Sequence, residues 1–167
     1  MTHTNAQLPV SRAPGLITAP GRLVNRLLNL GMPMGPNVLV TIRGRKSGEP
    51  RSQPLAVFED QGHKWLIGTF GDTNWCRNLR ANPDFKIHHG KRTERYIARE
   101  LPLDEAQMFF SVVMPEGIGR MPIYLKLFGR AFVRAAAPDM VRDPVGAAQK
   151  HPVFEITADP SATDQTA

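Results

Sequence analysis

Between Thr41 and Arg51 the chain gathers two glycines, a serine and four cations in the order Arg43-Gly44-Arg45-Lys46-Ser47-Gly48-Glu49-Pro50-Arg51. Glycines let backbone N–H groups turn inward as a nest for an anion. Arg45 can grip phosphate or carboxylate oxygens through two N–H groups, and Lys46 adds a point charge. Ser47 can donate a hydroxyl hydrogen bond. The segment reads as an anion cradle. The same residues also suit a solvated hairpin tip, and spacing alone does not separate the two. A second segment, Ile67-Gly68-Thr69-Phe70-Gly71-Asp72-Thr73-Asn74-Trp75, carries a strand through small residues into a helix. Gly68 and Gly71 permit a flat ligand to approach the backbone. Trp75 can wall such a pocket or fill the core. The helix start itself favours an anion.

Other chemistries lack their residues. No G-x-x-x-x-G-K-[ST] and no G-x-G-x-x-G after a strand occurs, so neither a P-loop nor a dinucleotide fingerprint is present. No G-x-S-x-G occurs, which weakens a hydrolase reading. The five histidines are His3, His63, His88, His89 and His151. His88 and His89 are neighbours on one strand and face opposite sides, so no metal site is expected. The single cysteine, Cys76, excludes an intramolecular disulfide. It is either a reactive thiol or a small packing residue.

The chain has 167 residues, 41% of them apolar and 22% charged, with a formal net charge of +6. That is the balance of one globular domain with a plausible anionic partner. No helix-turn-helix, zinc-finger or RNP-like pattern accompanies the charge, so nucleic acid is not the expected partner. The first residues lack an apolar stretch of signal-peptide type. No apolar run is long enough to span a membrane. These features fit a soluble, cytoplasmic protein.

The elements that must position the two segments follow from periodicity. Residues 1–19 read as a flexible arm. Leu23, Leu27 and Leu30, with Arg22 and Arg26 between them, predict an amphipathic helix over 20–32, suited to the core, a pocket or a membrane surface. Residues 37–45, 51–60 and 63–71 predict a three-stranded antiparallel meander. Pro54 places the second strand at an edge or bulge. A short helix follows, capped by Asp72 or Thr73 and stopped at Asn82-Pro83. Two more strands turn at Gly90-Lys91. A helix over 104–114 should end at Pro115. Residues 117–150 are interrupted by Gly and Pro, with helical stretches. HPVFEIT predicts a closing strand, and 159–167 a disordered tail. Residues 20–158 thus read as a single domain, a small antiparallel barrel with inserted helices.

The pair GRKSGEPRSQPL and GTFGDTNWCRNLRANP resembles the deazaflavin-dependent nitroreductase family, also described as F420H2-dependent quinone reductases. The hairpin match rests on Gly44, Arg45, Lys46, Ser47, Gly48, Arg51, Pro54 and Leu55. The helix match rests on Trp75, Asn78, Leu79, Ala81, Asn82 and Pro83. The resemblance implies an α+β split β-barrel of about six mostly antiparallel strands. It implies coenzyme F420, a flavin analogue with a phosphate and an oligoglutamate tail, with FMN as the alternative cofactor. Arg45, Lys46, Ser47 and Gly48 would hold the phosphate end, with Arg51 adding charge or ordering the hairpin beside Pro54. Ile67, Gly68, Thr69, Phe70, Gly71 and Trp75 would border the ring, with Arg77 and Asn78 near enough to assist. The implied reaction passes a hydride from reduced F420 to a small apolar acceptor: a quinone, activated alkene or nitro compound. Tyr124, Ser47, Thr69 or water would supply the proton. A split barrel that binds an FMN-type or fatty-acid-like ligand without turnover is the other reading.

Overall fold

Seven residues alternating about a β-branched spine, NVLVTIR, form the first strand, β1 (Asn37–Arg43). Val40 and Ile42 point inward and are fully buried. The computed structural model describes residues 37–89 and 92–159. The expected arm, the 20–32 helix with its membrane contact, the Gly90-Lys91 turn and the tail from 160 onward lie outside these residues. The further strands are β2 (Pro50–Asp60), β3 (His63–Ile67), β4 (Asp84–His89), β5 (Arg92–Glu100) and β6 (Val153–Ala158). They close a six-stranded barrel in the order β1-β2-β3-β6-β5-β4, with every neighbouring pair antiparallel. This is the α+β split barrel the sequence leads one to expect.

Pro54 shows how the barrel tolerates a missing donor. β2 pairs with β1 from Pro50 to Ala56, but with β3 only from Val57 onward. The side of Pro54 away from β1 therefore meets no strand among the described residues, as its absent N–H requires. β3 is shorter than expected. It ends at Ile67, after which Gly71 N–H closes back onto the Gly68 carbonyl at 2.8 Å.

Two apolar clusters hold the fold. The first fills the barrel with Val40, Ile42, Leu66, Leu79, Phe85, Ile87, Tyr96, Phe154 and neighbours. The second packs Trp65, Phe109, Phe110, Met114, Met140 and Val153 between the barrel's outer face and the helices. Trp65 and Leu66 are adjacent on β3 and serve opposite clusters, as a strand's alternation dictates. Each fully buried large side chain contributes about 1.5–3 kcal/mol.

The short helix α1 (Asn74–Ala81) follows β3. Thr73 stands at its N-cap position, but neither it nor Asp72 caps it through a side chain. The Thr73 hydroxyl lies 3.5 Å from Cys76 Sγ, and Asp72 is taken up by two arginines. Between β5 and β6 run α2 (Leu103–Met108), a π-helical turn (Phe109–Val113), α3 (Met114–Arg120), α4 (Ile123–Ala136), α5 (Asp139–Arg142) and α6 (Pro144–Lys150). Pro115 does not end the helix as expected. The preceding π-helical turn carries Met114 N–H to the Phe109 carbonyl, and Pro115 lies in the first turn of α3, at a position that needs no N–H.

Candidate functional site

The six residues between β1 and β2 form the turn in question. Gly48 N–H donates to the Gly44 carbonyl at 2.8 Å, and Gly44 N–H to the Glu49 carbonyl at 2.9 Å. Gly48 has φ +69°, a conformation that favours glycine. Gly44 is hemmed in: a Cβ there would lie 3.0 Å from Ser47 Oγ and 3.3 Å from Arg51 Nε. Ser47 Oγ accepts from Glu49 N–H at 3.3 Å. Lys46 and Ser47 stand exposed at the tip, and Arg51 lies along its base.

The turn is fastened to α1. Asn78, only 6% exposed, accepts through Oδ1 from both Arg45 N–H at 3.2 Å and the Arg45 guanidinium at 2.9 Å. Asn74 takes two further guanidinium bonds, at 3.5 Å to its carbonyl and 3.3 Å to its side chain. Asn82 donates to the Arg43 carbonyl at 3.4 Å. Among the described residues every acceptor that holds Arg45 is neutral, and none of them is a carboxylate.

Arg45 opens onto a cavity of about 690 Å³, lined also by Asp72, Arg77, Arg80, Glu100, Gln149, Lys150 and the apolar Leu101, Leu103 and Ala106. Asp72 joins Arg77 at 2.9 Å and Arg80, and Arg80 grips Glu100 with two bonds of 2.6 Å. Burial works to raise the Asp72 pKa, but the bonds from Arg77 and Arg80 outweigh it and leave it below the ordinary value. The bonds to Glu100, then Asp72, push the Arg80 pKa up against its desolvation. Arg77 and Arg80 are thus fixed in place, while Arg45 remains open to an anion.

The Ile67–Gly71 segment lies at the N-terminal end of α1. Gly68 is buried, and a Cβ there would lie 2.9 Å from both the Gly71 carbonyl and Pro152 Cδ. Thr69, Phe70 and Gly71 are half-buried. Trp75 is not among the residues that line this cavity. It is 8% exposed and packs in the barrel core against Phe154, ring centres 5.6 Å apart. Tyr124 is 67% exposed on α4 and is not among the residues that line this cavity. Pro54 sits within the β1–β2 ladder, opposite Leu39. Cys76 is fully buried, and burial pushes its thiol up to about 11, which makes it a packing residue.

Four residues around this turn and cavity were not foreseen. Asn74 lies in the helix motif, but its type gave no direction. Lys150 and Gln149 come from the far end of α6. His151, 7% exposed, bridges the Gly68 carbonyl at 3.1 Å and the Asp139 carboxylate at 3.2 Å. Only the fold brings Gln149 and Lys150 to the cavity and His151 to the Gly68 carbonyl, although His151 opens the predicted closing strand.

A family model, the F420H(2)-dependent quinone reductases, matches residues 22–119. The chain belongs to that family. This quinone-reductase family member is accordingly an F420H2-dependent oxidoreductase. Among solved structures, it is similar to an F420-H2 dependent reductase at 23% identity and TM-score 0.45, covering 73% of this chain and 94% of that one. It is also similar to an FAD-binding protein from Mesorhizobium loti, at 17% identity and TM-score 0.40, covering 81% and 86%. A conserved hypothetical protein from Mycobacterium tuberculosis matches at 11% identity and TM-score 0.46, over 98% of this chain and 97% of that one. No helix among the described residues is long and apolar enough to cross a membrane.

Proposed function

We propose that the Arg45–Gly48 turn and the cavity beside it hold the phosphate and acidic tail of F420, and that the Ile67–Gly71 segment borders its ring. The observation that carries this reading is Arg45. Its guanidinium is oriented by two asparagines and neutralised by no carboxylate among the described residues, so it is prepared for an incoming anion. Lys46 and Arg51 add charge, and the Ser47 hydroxyl adds a donor. Four cations and two carboxylates line the cavity, which suits a polyanionic tail. When bound, reduced F420 supplies a hydride.

The chain's own part is placement. The close packing of Gly68 against Pro152 fixes the segment on which the ring would rest. Trp75, from inside the barrel, supports α1 and through Asn78 the anion-binding turn. Thr69 is half-buried within the ring-bordering segment, and its hydroxyl or water is the proton source we favour over the exposed Tyr124. The acceptor is a small apolar quinone, activated alkene or nitro compound.

A fluorescence titration with F420, with FMN as rival ligand, tests the reading. Arg45→Ala should weaken F420 binding by about tenfold or more, the value of a charge-assisted bidentate contact. Asn78→Ala should weaken it too, by freeing the turn. Preference for FMN, or F420 affinity unchanged in Arg45→Ala, would overturn the placement.

A further inference from the structure

On the helical side of the molecule, a second cavity of about 450 Å³ lies under α4 and α5. Its floor is apolar: Met114, Pro115, Ile118, Pro138 and Val141. Its charged lining consists of three arginines, Arg130, Arg134 and Arg142. No carboxylate is among the described lining residues. The acids nearest in sequence are engaged elsewhere. Glu116 pairs with Arg120, Asp139 with His151 and Lys150, and Asp143 accepts from Gly146 N–H. Arg130 and Arg134 stand one helical turn apart, a spacing at which like charges destabilise a helix. In contrast, Arg77, Arg80, Arg99 and Arg120 are each paired with a carboxylate.

We infer that this cavity is a binding site for a phosphorylated amphiphile, a phosphate monoester carried on an apolar chain. Three arginines lining one cavity match a phosphate, which carries close to two negative charges at neutral pH and offers three acceptor oxygens. A single carboxylate would leave most of the positive charge uncompensated. The apolar floor takes the chain, and the volume falls in the range of small-ligand sites. Val141, 64% exposed within this apolar lining, presents surface that a bound chain would cover. The site shares no residue with the Arg45 cavity, so it stands independently of the cofactor reading.

Calorimetric titration of the full chain with monomeric octyl phosphate tests this, beside octanoate, octanol and inorganic phosphate. Octyl phosphate should bind most tightly of the four. The double variant Arg134→Gln/Arg142→Gln should weaken it by about tenfold or more. Val141→Asp should weaken it as well. All three positions are exposed, so thermal midpoints should stay near that of the parent, which separates lost binding from lost folding. Three results would overturn the site: no octyl phosphate binding, octanoate binding as tightly, or affinity unchanged in the double variant. Binding to phosphatidic acid vesicles but not to monomeric octyl phosphate would also overturn it, in favour of a membrane-facing surface.

Discussion

The Arg45 guanidinium donates only to amide oxygens, and that choice of partner separates it from Arg80, which is held by two carboxylates. One arginine meets neutral partners among the described residues; the other is paired with carboxylates. Asp72 belongs to the structural set. Its folded pKa lies below the ordinary carboxylate value, so its contribution to stability is complete above that value and is lost as pH falls through the lowered one. Asp72→Asn should therefore lower stability at neutral pH by about 1.5–3 kcal/mol, the value of hydrogen bonds to a charged group. It should also flatten the stability loss between about pH 5 and pH 3, measured as urea midpoints against pH. Cys76 offers a second check at this scale. With its thiol pushed up to about 11 and no exposed surface, it should resist iodoacetamide at pH 8 in the native protein and react on unfolding, as mass spectrometry would show.

At the scale of elements, two glycines set how closely segments approach. A Cβ on Gly117 would fall 2.5 Å from the Phe58 ring, so α3 lies directly against β2. A Cβ on Gly68 would meet backbone and a proline ring. Gly68→Ala and Gly117→Ala should each cost about 1–3 kcal/mol by overpacking, read from denaturant midpoints. Gly68→Ala should also weaken F420 binding, whereas Gly117→Ala should leave it in place. The strands were legible because NVLVTIR and DFKIHH carry a period of two, and Pro54 correctly signalled an unpaired side. The helix from Leu103 was legible at its start but not at its end. Pro115 reads as a stop unless a π-helical turn precedes it, and no residue type announces such a turn. At the site, the cations of the Arg45 turn were visible as a cluster. The role of Asn78 was not, because an asparagine's partner depends on which segment packs on its helix. Trp75 suited a pocket wall and a core equally, and its packing on Phe154 could not be read from its type. Lys150 and His151 reach their positions only through contacts distant in sequence.

Across the whole molecule, the barrel interior and the helical layer share strands but not side chains. Phe154 serves the interior, where it packs on Trp75 and beneath the Arg80 guanidinium, 6.0 Å from its ring centre. Phe154→Ala should cost about 3–5 kcal/mol. It should also loosen α1, and with it the hold of Asn78 on Arg45, so a calorimetric scan and an F420 titration should both register the change. The order of strands has a further consequence. β6 inserts between β3 and β5 and is made after both. While a ribosome is still translating the helical stretch, the emerging chain holds β1 to β5 with two sheet edges open to any passing strand. The hairpin that carries Arg45 can form early from local contacts, but the barrel that supports it must wait for a pairing across most of the chain. During that interval a chaperone that shields strand edges would protect the nascent enzyme from aggregation.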